Sequence, residues 1–123
     1  DFFMKEINSK KIEGLPVAIL EPDGPLLFCS IESLMNVYRK SSPHEKLVID
    51  MTNVTKIDLS GIYALEDLIK GLSRKNIKVF VTAANPVVKK ALKKVNFIQN
   101  IGDYYYKDSK ASITSTLQKY YNL

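Results

Sequence analysis

The sequence predicts an α/β fold, a mixed β-sheet covered by about four helices, and three features carry that expectation. Short apolar runs alternate along the chain with stretches of helical period. The run Lys46-Leu47-Val48-Ile49-Asp50-Met51 is apolar nearly throughout, the pattern of a strand covered on both faces. Before the alternation begins, the amino-terminal part reads as a hairpin, so the later strands are expected to be parallel and joined by right-handed crossovers.

The elements follow in order. The run Leu15-Pro16-Val17-Ala18-Ile19-Leu20 ends at Glu21-Pro22-Asp23-Gly24-Pro25, a turn-like stretch, and Leu26-Leu27-Phe28 resumes at once as the second hairpin strand. Ile31, Leu34, Met35 and Tyr38 then recur at the spacing of one buried helical face, with Ser30 or Cys29 as candidate cap and Ser41-Ser42-Pro43 as the stop. Residues 46–51 form the central strand, and residues 52–58 link it to the longest helical signal. There Ser60 and Gly61 open a helix whose apolar face is Ile62, Leu65, Leu68, Ile69 and Leu72, while Glu66, Lys70 and Arg74 share a polar face. Residues 77–82 are a strand. Asn85-Pro86 is a cap followed by proline at the first helical position, ahead of a stripe of Val87, Val88, Ala91, Leu92 and Val95. Residues 97–101 read as a weak strand or extended link. A last helix is expected from Asp108 or Ser109, burying Ile113, Leu117 and Tyr120 or Tyr121.

Composition narrows the function. The 123 residues are 46% apolar and 25% charged, enough for one domain that buries roughly two thirds of its unfolded surface. One Cys and one His exclude a Cys/His zinc site, a disulfide and a Cys-x-x-Cys redox pair within one copy. Cys29 reads as a small buried hydrophobe. The glycines never cluster into a phosphate-binding loop and no Gly-Lys-Ser/Thr occurs, so the common nucleotide signatures are missing. Glu66 and Asp67 are adjacent carboxylates, but neighbouring helical residues do not face each other, which argues against a catalytic dyad. No run approaches the roughly 20 apolar residues of a membrane span. The chain starts at Asp1 and not at Met, as expected of a piece cut from something longer or of a start at Met4 preceded by added residues.

Functional information concentrates in the segment from Lys46 to Gly61, Lys46-Leu47-Val48-Ile49-Asp50-Met51-Thr52-Asn53-Val54-Thr55-Lys56-Ile57-Asp58-Leu59-Ser60-Gly61. This stretch resembles the signature of STAS domains, in which a strand ending in Asp leads through a short apolar link to Asp-Ser-Ser/Thr-Gly at a helix start. The resemblance extends to the strand at 77–82, to Asn85-Pro86, and to Val95-Asn96-Phe97. Upstream, Asp23-Gly24-Pro25-Leu26-Leu27-Phe28 through Leu34 is similar to the Gly-x-Leu-x-Phe segment of the carboxy-terminal cytoplasmic domains of SulP anion transporters; soluble anti-sigma factor antagonists usually carry a more polar version.

The resemblance implies a STAS-like mixed sheet and a domain spanning residues 1–123 that acts by binding, without a cofactor or catalytic residue. It would be a regulatory module of a sulfate or related anion transporter at the cytoplasmic face of the inner membrane. Its expected partners are the transmembrane part of the same transporter and a cytosolic regulatory protein. The alternative is a free-standing anti-sigma factor antagonist switched by phosphorylation of Ser60. The interaction loop would be Asp58, Leu59, Ser60 and Gly61. Ser60 aligns with the serine on which antagonists receive phosphate, while Leu59 replaces the first Ser of the motif. From the residues alone, Ser60 is open to three roles: helix cap or first-turn residue, phosphate acceptor, or direct anion or nucleotide contact.

Charge adds an independent observation. The net +5 divides into six basic against eight acidic residues through Asp50 and twelve against five after it. From Leu68 to Gly102 no acidic residue occurs, and Lys89, Lys90, Lys93 and Lys94 form a basic surface on the polar flank of one helix. That flank is either a plain solvated face or a contact for an anionic lipid surface or acidic partner. Nucleic acid is not expected: Tyr104-Tyr105-Tyr106 is the only aromatic cluster, and no helix-turn-helix accompanies it.

Overall fold

The computed structural model of the chain describes residues 6–11, 17–39, 45–101, 106–107 and 115–119. Its elements are β1 (Glu6–Lys11), β2 (Val17–Leu26), α1 (Phe28–Arg39), β3 (Lys46–Asp50), β4 (Val54–Ile57), α2 (Leu59–Arg74), β5 (Lys78–Thr82), α3 (Pro86–Lys94), α4 (Phe97–Ile101) and β6 (Tyr106–Lys107). A helical turn at 115–119, here α5, follows. The sheet order is β1-β2-β3-β5-β6, with β4 paired to β2 off that path. β1 runs antiparallel to β2, whereas the β2–β3, β3–β5 and β5–β6 pairs are parallel. This is the mixed sheet with an antiparallel start and parallel continuation that the sequence predicts.

The hairpin is present but assembled from other strands. Residues 21–25 do not reverse the chain; β2 passes straight through them, and β1 lies along Ala18 to Asp23. Gly24 takes φ 116°, and the pairing with β4 shifts register between Gly24 and Leu26. The strand therefore bends at a glycine, and prolines on either side are accommodated at an irregular stretch of ladder. One side of β2 is shared: β3 occupies Val17 to Leu20, and β4 the stretch from Gly24 to Leu26. The sequence reading treated β4 as a link, because four residues with only Val54 buried carry no strong strand signal.

All five residues of β3 are buried, as a central strand requires. Alternation divides them between two cores. Leu47 and Ile49 join Ala18, Leu20, Val79 and Val81 beneath the buried faces of α1, α2, α3 and α4. Val48 joins Val17 and Phe80 on the opposite face, against Leu117 of α5. Each fully buried Leu, Ile or Phe contributes about 1.5–3 kcal/mol relative to exposure, so this double coverage is the main source of stability.

Other expectations change in detail. Ser30 and Cys29 lie inside the first turn of α1 and do not cap it from outside. The Ser30 hydroxyl accepts from the Leu27 N–H at 3.1 Å and donates to the Pro25 carbonyl at 3.0 Å, tying the helix to the end of β2, while Cys29 is exposed. Residues 97–101 are helical, not extended: Phe97 and Ile101 sit one turn apart and both are buried. Glu66 is buried within α2, because it falls in the same arc as Ile62, Leu65 and Ile69. Its Oε1 accepts from the Asn100 side chain at 3.1 Å, which latches α4 to α2. Val87, expected in the buried stripe of α3, is 69% exposed. The helix stop at Ser41-Ser42-Pro43, the tyrosine cluster apart from the backbone of Tyr106, the start of the last helix, and the packing of Ile113, Tyr120 and Tyr121 lie outside the described residues.

Candidate functional site

The carboxyl ends of the parallel strands gather the loops that the sequence reading singled out, and hydrogen bonds fix those loops to one another. Asp50 ends β3, and its Oδ1 accepts from the Thr52 N–H at 3.0 Å and the Thr52 hydroxyl at 2.5 Å. The Met51 N–H donates to the Thr82 carbonyl at 2.8 Å, and the Gly24 N–H to the Asn53 carbonyl at 3.0 Å. The β3–β4 connection is thus held from β5 on one side and β2 on the other.

Asp58 opens α2. Its extended backbone (φ −101°, ψ 171°) places Oδ1 to accept from the Gly61 N–H at 2.6 Å. The cap is therefore Asp58, and Leu59, Ser60 and Gly61 form the first turn. Gly61 is required sterically: a β-carbon there would stand 2.5 Å from the Leu26 carbonyl oxygen and 2.8 Å from Asp58 Oδ1. The small residue lets the start of α2 close against the end of β2 while keeping its cap. Leu59, Ser60 and, one turn on, Tyr63 point outward, with Leu59 53% and Tyr63 50% exposed. Of the roles open to Ser60, capping falls to Asp58, and Ser60 is an exposed first-turn residue.

Helix α3 starts at the same end of the sheet. The Asn85 side chain accepts from the Val88 N–H at 2.9 Å, and its Nδ2 donates to the Val54 carbonyl at 2.8 Å. One residue thus caps α3 and ties it to β4, and Pro86 follows at the first helical position as expected. The basic surface lies on this separate helix: Lys90, Lys93 and Lys94 are exposed and Lys89 is half-buried. The structure brings Asp58, Leu59, Ser60 and Gly61 together as one turn and places the four lysines along α3.

Sequence reasoning missed Tyr63 and Val87 as surface residues. Tyr63 stands off the buried stripe of α2, which was a usable signal; so does Val87 off that of α3, since it falls on the helix line of Lys90 and Lys94 while its neighbour Val88 is buried. Among the described residues no three potential metal ligands cluster, and no helix is long and apolar enough to cross a membrane. Burial raises the pKa of Tyr38, in the last turn of α1.

Fold and rim define the class: a small α/β domain with a mixed sheet and with helix amino termini gathered at one end. Within that class the chain belongs to the STAS domain family, whose model matches residues 6–118. Sulfate transporter 3.2 of Arabidopsis thaliana is 33% identical over an alignment of 113 residues that takes in 76% of this chain and 18% of the transporter. The chain spans under a fifth of the length of the curated relatives it matches, 9% of sulfate transporter 1.1 and 18% of sulfate transporter 3.2. Among solved structures, the SulP transporter STAS domain from Vibrio cholerae aligns with a TM-score of 0.69 at 22% identity, covering 93% of this chain and 89% of that one. A putative anti-sigma factor antagonist from Thermotoga maritima aligns with a TM-score of 0.72 at 14% identity, covering 91% and 94%. At these identities the two structures speak for the fold alone.

Proposed function

We propose that the chain is a single STAS domain within a longer membrane transporter, acting as the cytoplasmic regulatory and protein-interaction domain of a SulP-type sulfate or related anion transporter. The observation that carries this reading is the relative that is 33% identical across 76% of the chain, a sulfate transporter. The rim supports action by binding. Leu59 and Tyr63 present apolar surface one helical turn apart beside the Ser60 hydroxyl, the composition of a protein contact. The transmembrane part of the same transporter, or a cytosolic regulatory protein, would cover it, and the transported anion would bind elsewhere. A free-standing antagonist switched at Ser60 is the weaker reading, since the relative that carries the proposal is a sulfate transporter and Leu59 replaces the first Ser of the motif.

The test is the parent reading frame together with transport. The frame is expected to carry a series of apolar spans outside this domain. In the whole protein, Leu59→Asp with Tyr63→Asp is expected to lower sulfate uptake severalfold while the protein still reaches the membrane. A frame with no spans removes the transporter reading, and unchanged uptake removes the rim from it.

A further inference from the structure

Helix α3 turns Val88 and Leu92 into the core and leaves Pro86, Val87, Lys90, Lys93 and Lys94 exposed. At 3.6 residues per turn these exposed positions fall within an arc of about 120°. Val87, 69% exposed, lies on the same line of that arc as Lys90 and Lys94, three and seven residues on. An isolated exposed valine needs no explanation. One set among three lysines on a helix surface gives the face the make-up of helices that rest on anionic bilayers: cations for the headgroups and an apolar side chain for the boundary beneath.

The surroundings keep the field positive. Beside α3, a shallow concavity lined by Ala84, Pro86, Lys89, Lys90 and Lys93 extends the basic surface toward the helix start. Helix α4, which packs against both α3 and α2, contributes Gln99 and Asn100 as its exposed residues. Beyond it, Lys70 and Arg74 of α2 line a groove together with Asn100. No Asp or Glu occurs between residues 68 and 102, and of the two acids of α2 that precede this stretch Glu66 is buried against Asn100 while Asp67 is exposed.

We propose that the outer face of α3, Lys90, Lys93 and Lys94 around Val87, docks the domain onto an anionic phospholipid surface. The choice of a membrane over an acidic protein rests on the transporter reading above, which holds the domain beside a bilayer. A tethered domain needs little intrinsic affinity, because the tether sets a high effective concentration of membrane.

The test uses the 123-residue chain with vesicles of phosphatidylcholine mixed with phosphatidylserine and with vesicles of phosphatidylcholine alone, read by co-sedimentation at low and high salt. Binding is expected only with phosphatidylserine, and weaker as salt screens the surface charges. The combined K90Q, K93Q and K94Q variant is expected to lose roughly a hundredfold in partition, because each lysine near an anionic leaflet strengthens it about fivefold. Val87→Ser is expected to weaken binding severalfold at unchanged charge. A control with the same charge change at the exposed Lys56, Lys75 and Lys119, each replaced by Gln, keeps most of the binding. All substituted side chains are exposed, and circular dichroism checks that the variants fold.

No binding to phosphatidylserine vesicles, or equal loss in the control, overturns the proposal. Tighter binding to an oligoglutamate peptide than to the vesicles assigns the face to an acidic protein and overturns it too. The measurement needs no transporter. A parent frame without apolar spans removes the transporter reading and leaves a positive vesicle result standing, whereas failed vesicle binding by a chain whose parent frame carries spans removes the docking alone.

Discussion

Ala83 holds φ at 64°, in the left-handed region, between the end of β5 and the Asn85 cap of α3. A β-carbon in that conformation costs about 1–2 kcal/mol. The neighbouring hydrogen bonds of Thr82 and Asn85 fix the chain on both sides, so the strain is carried by whichever residue stands there. Ala83→Gly removes the clash and adds back some unfolded-state entropy, so a net gain of about 0.5–1 kcal/mol in denaturant unfolding is expected. At the start of α2 the signs reverse. Asp58→Ala removes the cap and is expected to cost about 1 kcal/mol. Gly61→Ala is expected to cost more, about 1–3 kcal/mol, because its β-carbon meets backbone that cannot swing aside. If Gly61→Ala proved the milder of the two, the close approach of α2 to β2 would not be what demands glycine.

Elements are bounded by local chemistry and placed by their neighbours. Helix α2 begins at Asp58 and ends where Asn76, at φ 64°, sends its N–H to the Ser73 carbonyl and lets the Ile77 N–H reach the Leu72 carbonyl, both at 3.0 Å. That closing pair satisfies carbonyls the helix leaves open, and Asn tolerates the left-handed turn. Asn96, at φ 56°, likewise turns the chain after α3 and sends its N–H to the Lys93 carbonyl at 3.2 Å. Helix α4 is too short to show a period, so residues 97–101 could be read as extended. Its conformation follows from two buried side chains one turn apart and from the Asn100 latch to Glu66. Phe97 is fully buried beneath it. Phe97→Ala is therefore expected to cost about 3–5 kcal/mol in thermal or denaturant unfolding, the loss of a filled core site. A cost below 1 kcal/mol would fit a loosely attached extended link instead.

At the scale of the whole molecule, the sheet is buried on both faces but unequally covered. Four helices close one face, whereas among the described residues Leu117 of α5 is the side chain that completes the cluster of Val17, Val48 and Phe80 on the other. Leu117→Ala is expected to destabilise the domain by about 2–5 kcal/mol, measured by denaturant unfolding. A smaller effect would mean that the carboxyl-terminal segment covers this face only loosely. The sequence by itself determined the alternation of strands and helices, the central place of β3, the Asn85-Pro86 start of α3 and the loop at 58–61, because periodicity and capping chemistry are written within a few residues. Only the tertiary structure decided that β2 runs on through Glu21 and Pro25, that β4 pairs beside it and that Asn100 of α4 meets Glu66 of α2. Each of those depends on which strand edge or helix face arrives from far along the chain, and no local pattern of residues encodes the neighbour that a side chain will meet.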